Sequence, residues 1–324
     1  MIRALFFSAL LLFCFQSNGQ LTWQNVDAAY GPLPPSVHVF YTNQRIDTAP
    51  FRAFYLVADL KERKIEFTTD TTAGRRITPQ QFYEKNGHPV AVVNGTFFSF
   101  ETNGNLNTVI RDGKTLSFDT HLRELKGKDT LMYAKHLASA IGISKKRQAD
   151  VAWIYNAEGR KSPVAFERNP VYIKDSVKYV SLYTFAPQMR HYPKMEKRAG
   201  IRERWKMQTA IGGGPVLLQD GAIRVTNNEE NKFPGKGISD KHPRTAMGYT
   251  ADNRLVILVV EGRNAQAGGA TLTQLAQILK DLSCVEALNL DGGGSSCLLV
   301  NGKETITPSD KTGQRPVPAV FIIK

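Results

Sequence analysis

Cys284-Val-Glu-Ala-Leu-Asn-Leu-Asp291-Gly-Gly-Gly-Ser-Ser-Cys297-Leu-Leu-Val-Asn-Gly302 is the stretch from which the rest of the chain is read. Val285 to Leu290 is short, largely apolar and bounded by turn residues, which predicts a mostly buried strand. It runs into Asp291, three glycines and two serines. Strand alternation sets Asn289 and Asp291 on one face and Leu288 and Leu290 on the other. Gly292, Gly293 and Gly294 lack a Cβ, so a ligand or another strand can approach their backbone closely. A plain β-turn between two strands, with Asp291 as a turn residue, is the alternative, but most such turns need one glycine at most. A carboxylate, a run of amides and the hydroxyls of Ser295 and Ser296 at a strand end have the makings of a site.

Two other apolar runs end in a similar way. Pro89 to Val93 stops at Asn94-Gly95, and Leu255 to Val260 stops at Glu261-Gly262-Arg263. Strands buried on both faces sit centrally in a sheet, and ligands often bind beyond strand ends, although that rule is drawn from parallel sheets. If the three ends meet, Asn94, Glu261, Arg263, Asn289 and Asp291 line one pocket. A second triple glycine, Gly212-Gly213-Gly214, leads into another apolar run, and His242-Pro-Arg244 precedes an alternating one.

The chain has 324 residues, 42% of them hydrophobic, enough for a sizeable core and one or two domains. Met-Ile-Arg3, an apolar run from Ala4 to Phe15 and a small-residue end read as a secretory signal peptide over 1–19, cut near Gly19. The run is short for a bilayer, and no later stretch predicts a transmembrane segment. Cys14 follows Phe13 rather than a small residue, which argues against a lipid anchor. Cys284 and Cys297 remain, expected as free buried thiols rather than a disulfide or a zinc site. The net charge is +13, or +12 without Arg3. For an exported protein this favours phosphorylated or acidic glycans, teichoic-type polymers or membrane surfaces over nucleic acid, with plain solubility as the alternative reading of the charge.

Residues 20–49 are expected to be an N-terminal segment, poorly structured through its proline-containing part to residue 36. A single domain is expected over 50–324. Ser36–Tyr41 and Phe51–Leu60 alternate as an antiparallel pair, and Arg63–Thr68 adds a strand. Capping boxes Thr78-x-x-Gln81 and Thr271-x-x-Gln274 start two helices. Asp112-Gly113 and Asp220-Gly221 mark hairpins. Further strands are expected at Ser139–Ser144, Ala149–Tyr155 and Val177–Thr184. A basic insertion is expected at about 156–206, its end from Arg190 to Lys206, with seven Lys or Arg, a solvated loop. Many strands and few helices predict an α+β fold with an extensive mixed, largely antiparallel sheet.

Glu261 and Asp291 are two carboxylates at strand ends, the pair that glycosidic hydrolysis needs. A phosphodiester leaving group would depend more on cations than on a strong acid, and His242, Arg244 and Arg263 supply them. The amides of 212–214, of 292–294 and of the Thr271 helix start are candidate anion donors. Gly293-Gly-Ser295 suggests a serine nucleophile, but Cys297 replaces the last glycine of that motif and the chain continues into a strand. No Gly-Lys-Ser/Thr follows either glycine run, so a P-loop is excluded.

Asn94-Gly-Thr-Phe-Phe98, Gly212-Gly-Gly-Pro215, His242-Pro-Arg-Thr-Ala246 with Gly248, Glu261-Gly-Arg263 and Asn289-Leu-Asp-Gly-Gly-Gly-Ser-Ser296 together resemble the phosphodiester glycosidase family, in its order, over roughly 50–324. The resemblance implies that family's α+β fold and hydrolysis of a sugar-1-phosphodiester; no cofactor and no metal ligand is assigned, and the metal requirement is not legible. It also suggests that the matching Asn94, Arg244, Glu261, Asn289 and Asp291 belong to the site; with the residue reading above, catalysis is expected from Asp291 and Glu261. Substrate binding falls to Asn94, Gly95, Gly213, Gly214, His242, Arg244, Arg263, Asn289, Gly292, Gly293, Gly294 and Ser295. Glu261 stands where many relatives carry Asp. A non-catalytic glycan-binding module is the competing class, and oligomeric state is not legible.

Overall fold

The computed structural model describes residues 20–119, 138–155, 162–166, 205–230 and 232–324, with short strands at 122–124, 133–135, 171–174, 177–180 and 201–202 between them. The expected signal peptide, Cys14 and most of the basic insertion, including Arg190 to Gly200, lie outside the described residues.

Every strand pairing described is antiparallel, as the α+β reading expects. An eight-stranded sheet carries, in spatial order, Gln24–Asn25, Val37–Ile46, Ala49–Asp59, Arg254–Val260, Arg244–Thr250, Cys284–Asn289, Val216–Gln219 and Ala222–Ile223. A five-stranded sheet centres on Ala91–Asn94, between Leu298–Val300 and Ala319–Ile323. A seven-stranded sheet has Ala138–Ser144 and Met207–Gly212 at its middle. The alternating inward residues of all three meet in one apolar cluster: Leu56 and Ile257 from the first, Val93 and Phe321 from the second, Ile141, Trp153 and Ile211 from the third. The outer face of the eight-stranded sheet is closed by the Leu272–Asp281 helix, whose Leu272, Leu275, Ala276, Ile278 and Leu279 are buried against Leu217, Ala246 and Leu258.

Local chemistry accounts for the boundaries. Both capping boxes form: the Thr271 amide donates to Gln274 Oε1 (2.9 Å) and the Gln274 amide to Thr271 Oγ1 (3.0 Å), and Thr78 and Gln81 do the same before Pro79–Lys85. The hairpins at Asp112-Gly113 and Asp220-Gly221 put both residues at positive φ, as the tight hairpin turn requires.

Three expectations are corrected. Residues 20–36 are ordered, because Gln24–Asn25 pairs with Phe40 and Tyr41 and Asp27 accepts the Val39 amide at 2.6 Å. The strand expected at Arg63 starts at Phe67, since the Glu62 carboxylate caps a turn by accepting the Lys64 amide at 2.8 Å. The basic loop is not solvated to its end: Trp205 is 1% exposed and donates its indole N–H to Asp150 at 2.6 Å. Indole is too apolar to leave in water when a carboxylate can take its N–H inside.

Candidate active site

Topology brings the strand ends together. Arg254–Val260 and Cys284–Asn289 are each antiparallel to Arg244–Thr250, which lies between them. They therefore run the same way, and Glu261, Asp291 and Arg244 share one edge of the sheet. Beyond Asp291 the chain does not turn back along this sheet. It crosses to the five-stranded sheet, where Leu298–Val300 pairs with Ala91–Asn94. The glycine run is thus a bridge between two sheets, and the β-turn alternative fails.

Asn94 and Gly95 fasten that bridge. Asn94 Nδ2 donates to the Asp291 carbonyl (2.6 Å), while its Oδ1 accepts Thr245 Oγ1 (2.8 Å) and the Cys297 amide (3.0 Å). The Asp291 amide donates to the Gly95 carbonyl at 3.0 Å. A Cβ on Gly95 would enter the Ile211 side chain. Asn94, 0% exposed, therefore has its side-chain groups engaged by protein. The buried Asn289 amide group donates to the carbonyls of Gly214 (2.9 Å) and Leu290 (2.8 Å). The amides of Gly212, Gly213 and Gly214 are spent on the carbonyls of Thr108, Ser139 and Asn289, so the expectation that they bind an anion is overturned. Gly213 and Gly214 are glycines because a Cβ would meet Asn289 and the Glu230–Lys232 pair of side chains, respectively.

The Asp291 carboxyl stands at the start of the bridge, where its Oδ1 accepts the Gly292 amide at 2.9 Å. Desolvation pushes its pKa up to about 6, against the lowering effect of bonds from Ser295 and the Gly292 amide and of the Arg315 charge. Arginines press on the glycines beside it. Built Cβ atoms show this: on Gly293 one would stand 3.2 Å from Arg263 Nη2, and on Gly294 one would fall inside the Arg315 guanidinium. Arg315 is held by Asp310 (2.7 Å) and reaches Ser295 Oγ at 3.5 Å. Arg263 is exposed and donates to His242 Nδ1 at 3.3 Å. Because a guanidinium only donates, that nitrogen is the acceptor. Burial, then the charges of Arg244 and Arg263, lower the His242 pKa, so the ring is neutral at neutral pH.

Two expected groups are committed elsewhere. Arg244, 3% exposed, gives Nε to the Ala270 carbonyl (3.0 Å) and Nη2 to those of Gly237 and Asp240 (both 3.1 Å), with its face over Phe233. Burial, then Arg263, pushes its pKa down to about 10. It adds charge to the site while its fork holds backbone. Glu261, 1% exposed, accepts the Thr307 amide (3.0 Å) and Asn264 Nδ2 (3.0 Å) and faces Arg52 at 3.6 Å. A carboxylate tied to two loops and a guanidinium is a brace. Sequence reading missed Arg315, which sits in a loop without a motif, and Glu230. The latter is fully buried and accepts from Trp153, the Val216 amide, Thr226 and Ser139. Cys284 and Cys297 are buried free thiols. Among the described residues no three His, Cys, Asp or Glu side chains gather as a metal site would need, and no helix is long and apolar enough to cross a membrane.

The antiparallel α+β domain thus sets a desolvated carboxyl on a glycine bridge beside arginines. The phosphodiester glycosidase family model matches residues 87–324, and the chain belongs to that family. It is 41% identical over 184 residues to the prophage-derived uncharacterized protein YomE of Bacillus subtilis, covering 53% of this chain and 27% of that protein. It is 39% identical over 108 residues to human N-acetylglucosamine-1-phosphodiester alpha-N-acetylglucosaminidase, covering 31% and 21%. The chain thus spans less than a third of the length of these curated relatives. The solved catalytic domain of the zebrafish enzyme of that name, auto-inhibited by its pro-peptide, is similar in fold. The TM-score is 0.57 at 19% identity, over 94% of this chain and 88% of that one.

Proposed function

We propose that the chain is an exported hydrolase that cleaves the bond between a sugar's anomeric carbon and a phosphodiester oxygen, on a GlcNAc-1-phosphate-type or related envelope glycan. The observation that carries this reading is the Asp291 carboxyl, with a pKa of about 6, on a glycine bridge pressed by Arg263 and Arg315. Above that pKa the carboxylate takes a proton from the attacking water. The water oxygen bonds to the anomeric carbon, the carbon–oxygen bond to phosphate breaks, and the electron pair leaves on the phosphate. A phosphate needs little protonation to depart, so cations replace the general acid. Arg263 and Arg315 hold the departing anion, and Arg244 and Glu261 keep the surrounding loops in place.

Turnover tests this directly. Purified protein should release sugar from a GlcNAc-1-phosphomethyl ester, and Asp291→Asn should abolish release while the protein still folds. Wild-type rates in that variant would remove Asp291 from the chemistry. Binding of the ester by wild type with no sugar released would make the chain a non-catalytic glycan-binding module.

A further inference from the structure

Beside the glycine bridge lies an aromatic surface that the reaction above does not use. Phe100 is 64% exposed, the most exposed of the large hydrophobic residues described. Exposure alone means little; what surrounds the ring is the point. The Arg76 guanidinium carbon lies 5.0 Å from its centroid and that of Arg315 5.6 Å. Phe98 packs against it at 4.9 Å between centroids, and Arg76 also lies 5.1 Å from the Phe98 ring. A guanidinium resting on rings is ordered before any ligand arrives and keeps its N–H edge for one. Arg315 is already anchored by Asp310 and joined through Ser295 to the Asp291 site. The Arg76 guanidinium, by contrast, makes no ion pair and no hydrogen bond among the described residues, although aromatic contacts fix its place.

We propose that Arg76 and Phe100 form a subsite for the leaving side of the substrate, and that its occupant carries a second phosphate directly beyond the one esterified to the sugar. This rests on the phosphodiester reading. The two guanidinium carbons are at most 10.6 Å apart, the sum of their distances to the ring they share. A separation within that limit lets adjacent phosphates be gripped one by each arginine through charge-assisted contacts. A single phosphate at Asp291 would engage Arg263 and Arg315 and leave Arg76 without an anion.

The test uses two ligand pairs and the variants Arg76→Gln, Arg76→Lys and Phe100→Leu, with unchanged thermal midpoints as the folding control. By calorimetry, wild type should bind inorganic pyrophosphate more tightly than methyl phosphate. Arg76→Gln should weaken pyrophosphate binding about tenfold, with methyl phosphate unaffected. In turnover, the same variant should lower kcat/KM about tenfold for a sugar-1-diphosphate ester and leave the sugar-1-phosphomethyl ester unchanged. Arg76→Lys, which keeps charge without the flat fork, and Phe100→Leu, which removes the ring on which Arg76 rests, should fall between. Equal effects on both members of a pair, or none on either, overturn the subsite. If wild type releases no sugar but Arg76→Gln still abolishes the pyrophosphate preference, the subsite stands and the hydrolase reading falls.

Discussion

Asp291 carries an energetic cost that can be measured apart from catalysis. Burial raises its folded-state pKa from an ordinary 3.8 to about 6. The folded chain therefore holds a proton that the unfolded chain releases between those values. The stability that proton contributes is complete below pH 3.8 and lost as pH rises through about 6. An asparagine in its place would have no charge to desolvate, so Asp291→Asn should gain up to about 3 kcal/mol at about pH 7.5 and little at about pH 4. Urea titrations at the two pH values check this; an equal change at both would remove the desolvated carboxylate as its cause. The arginines should separate in a similar experiment. Arg263→Ala should cost roughly ten- to a hundredfold in kcat/KM on a sugar phosphodiester and little on a neutral aryl glycoside. Arg244→Ala should impair both substrates alike and lower stability by about 2–4 kcal/mol, because it strands the carbonyls of Gly237, Asp240 and Ala270.

The Gly292–Gly294 bridge is an element whose sequence is dictated by what crosses it. Gly293 has φ +61, a conformation glycine adopts at no steric cost. Gly294 has an ordinary φ but no room, since the Arg315 guanidinium occupies the place of its Cβ. The obstruction is the far end of a flexible side chain, so Gly294→Ala should displace Arg315 and not unfold the protein. We expect its kcat/KM on a phosphodiester to fall about tenfold or more with a thermal midpoint within a few degrees of wild type. An active Gly294→Ala protein would take Arg315 out of the site.

Over the whole molecule, the net charge of +13 sets a field as well as a solubility. Arg244, Arg263 and Arg315 gather at the bridge, so a negatively charged substrate should be drawn in faster than a neutral one. Raising ionic strength from about 20 to 300 mM shortens the screening length from roughly 20 Å to about 6 Å. It should therefore lower kcat/KM for a phosphodiester several-fold and leave a neutral glycoside nearly constant. Stopped-flow or initial-rate measurements across salt decide it. A flat profile on the anionic substrate would confine the arginines to short-range contacts.

Strand and helix identity was legible in the chain because it is local. Alternation in Phe51–Leu60, the run Leu255–Val260, two capping boxes and two Asp-Gly turns each depend on neighbours a few residues away, and each forms where it was expected. The recurrent blocks ending at Asn94, Glu261 and Asp291 were legible as well, since a polar residue after an apolar strand stands out in one dimension. Which of those groups is left for a ligand was decided by the tertiary structure. Asn94 is consumed by Thr245, Cys297 and the Asp291 carbonyl, Glu261 by Thr307 and Asn264, and Arg244 by three backbone carbonyls. Arg315, with no motif around it, arrives at Gly294 only because the final loop folds back over the bridge. A side chain's type is written in the sequence. Whether its hydrogen-bonding capacity is already spent depends on partners brought from far along the chain, and only the packed sheets supply them.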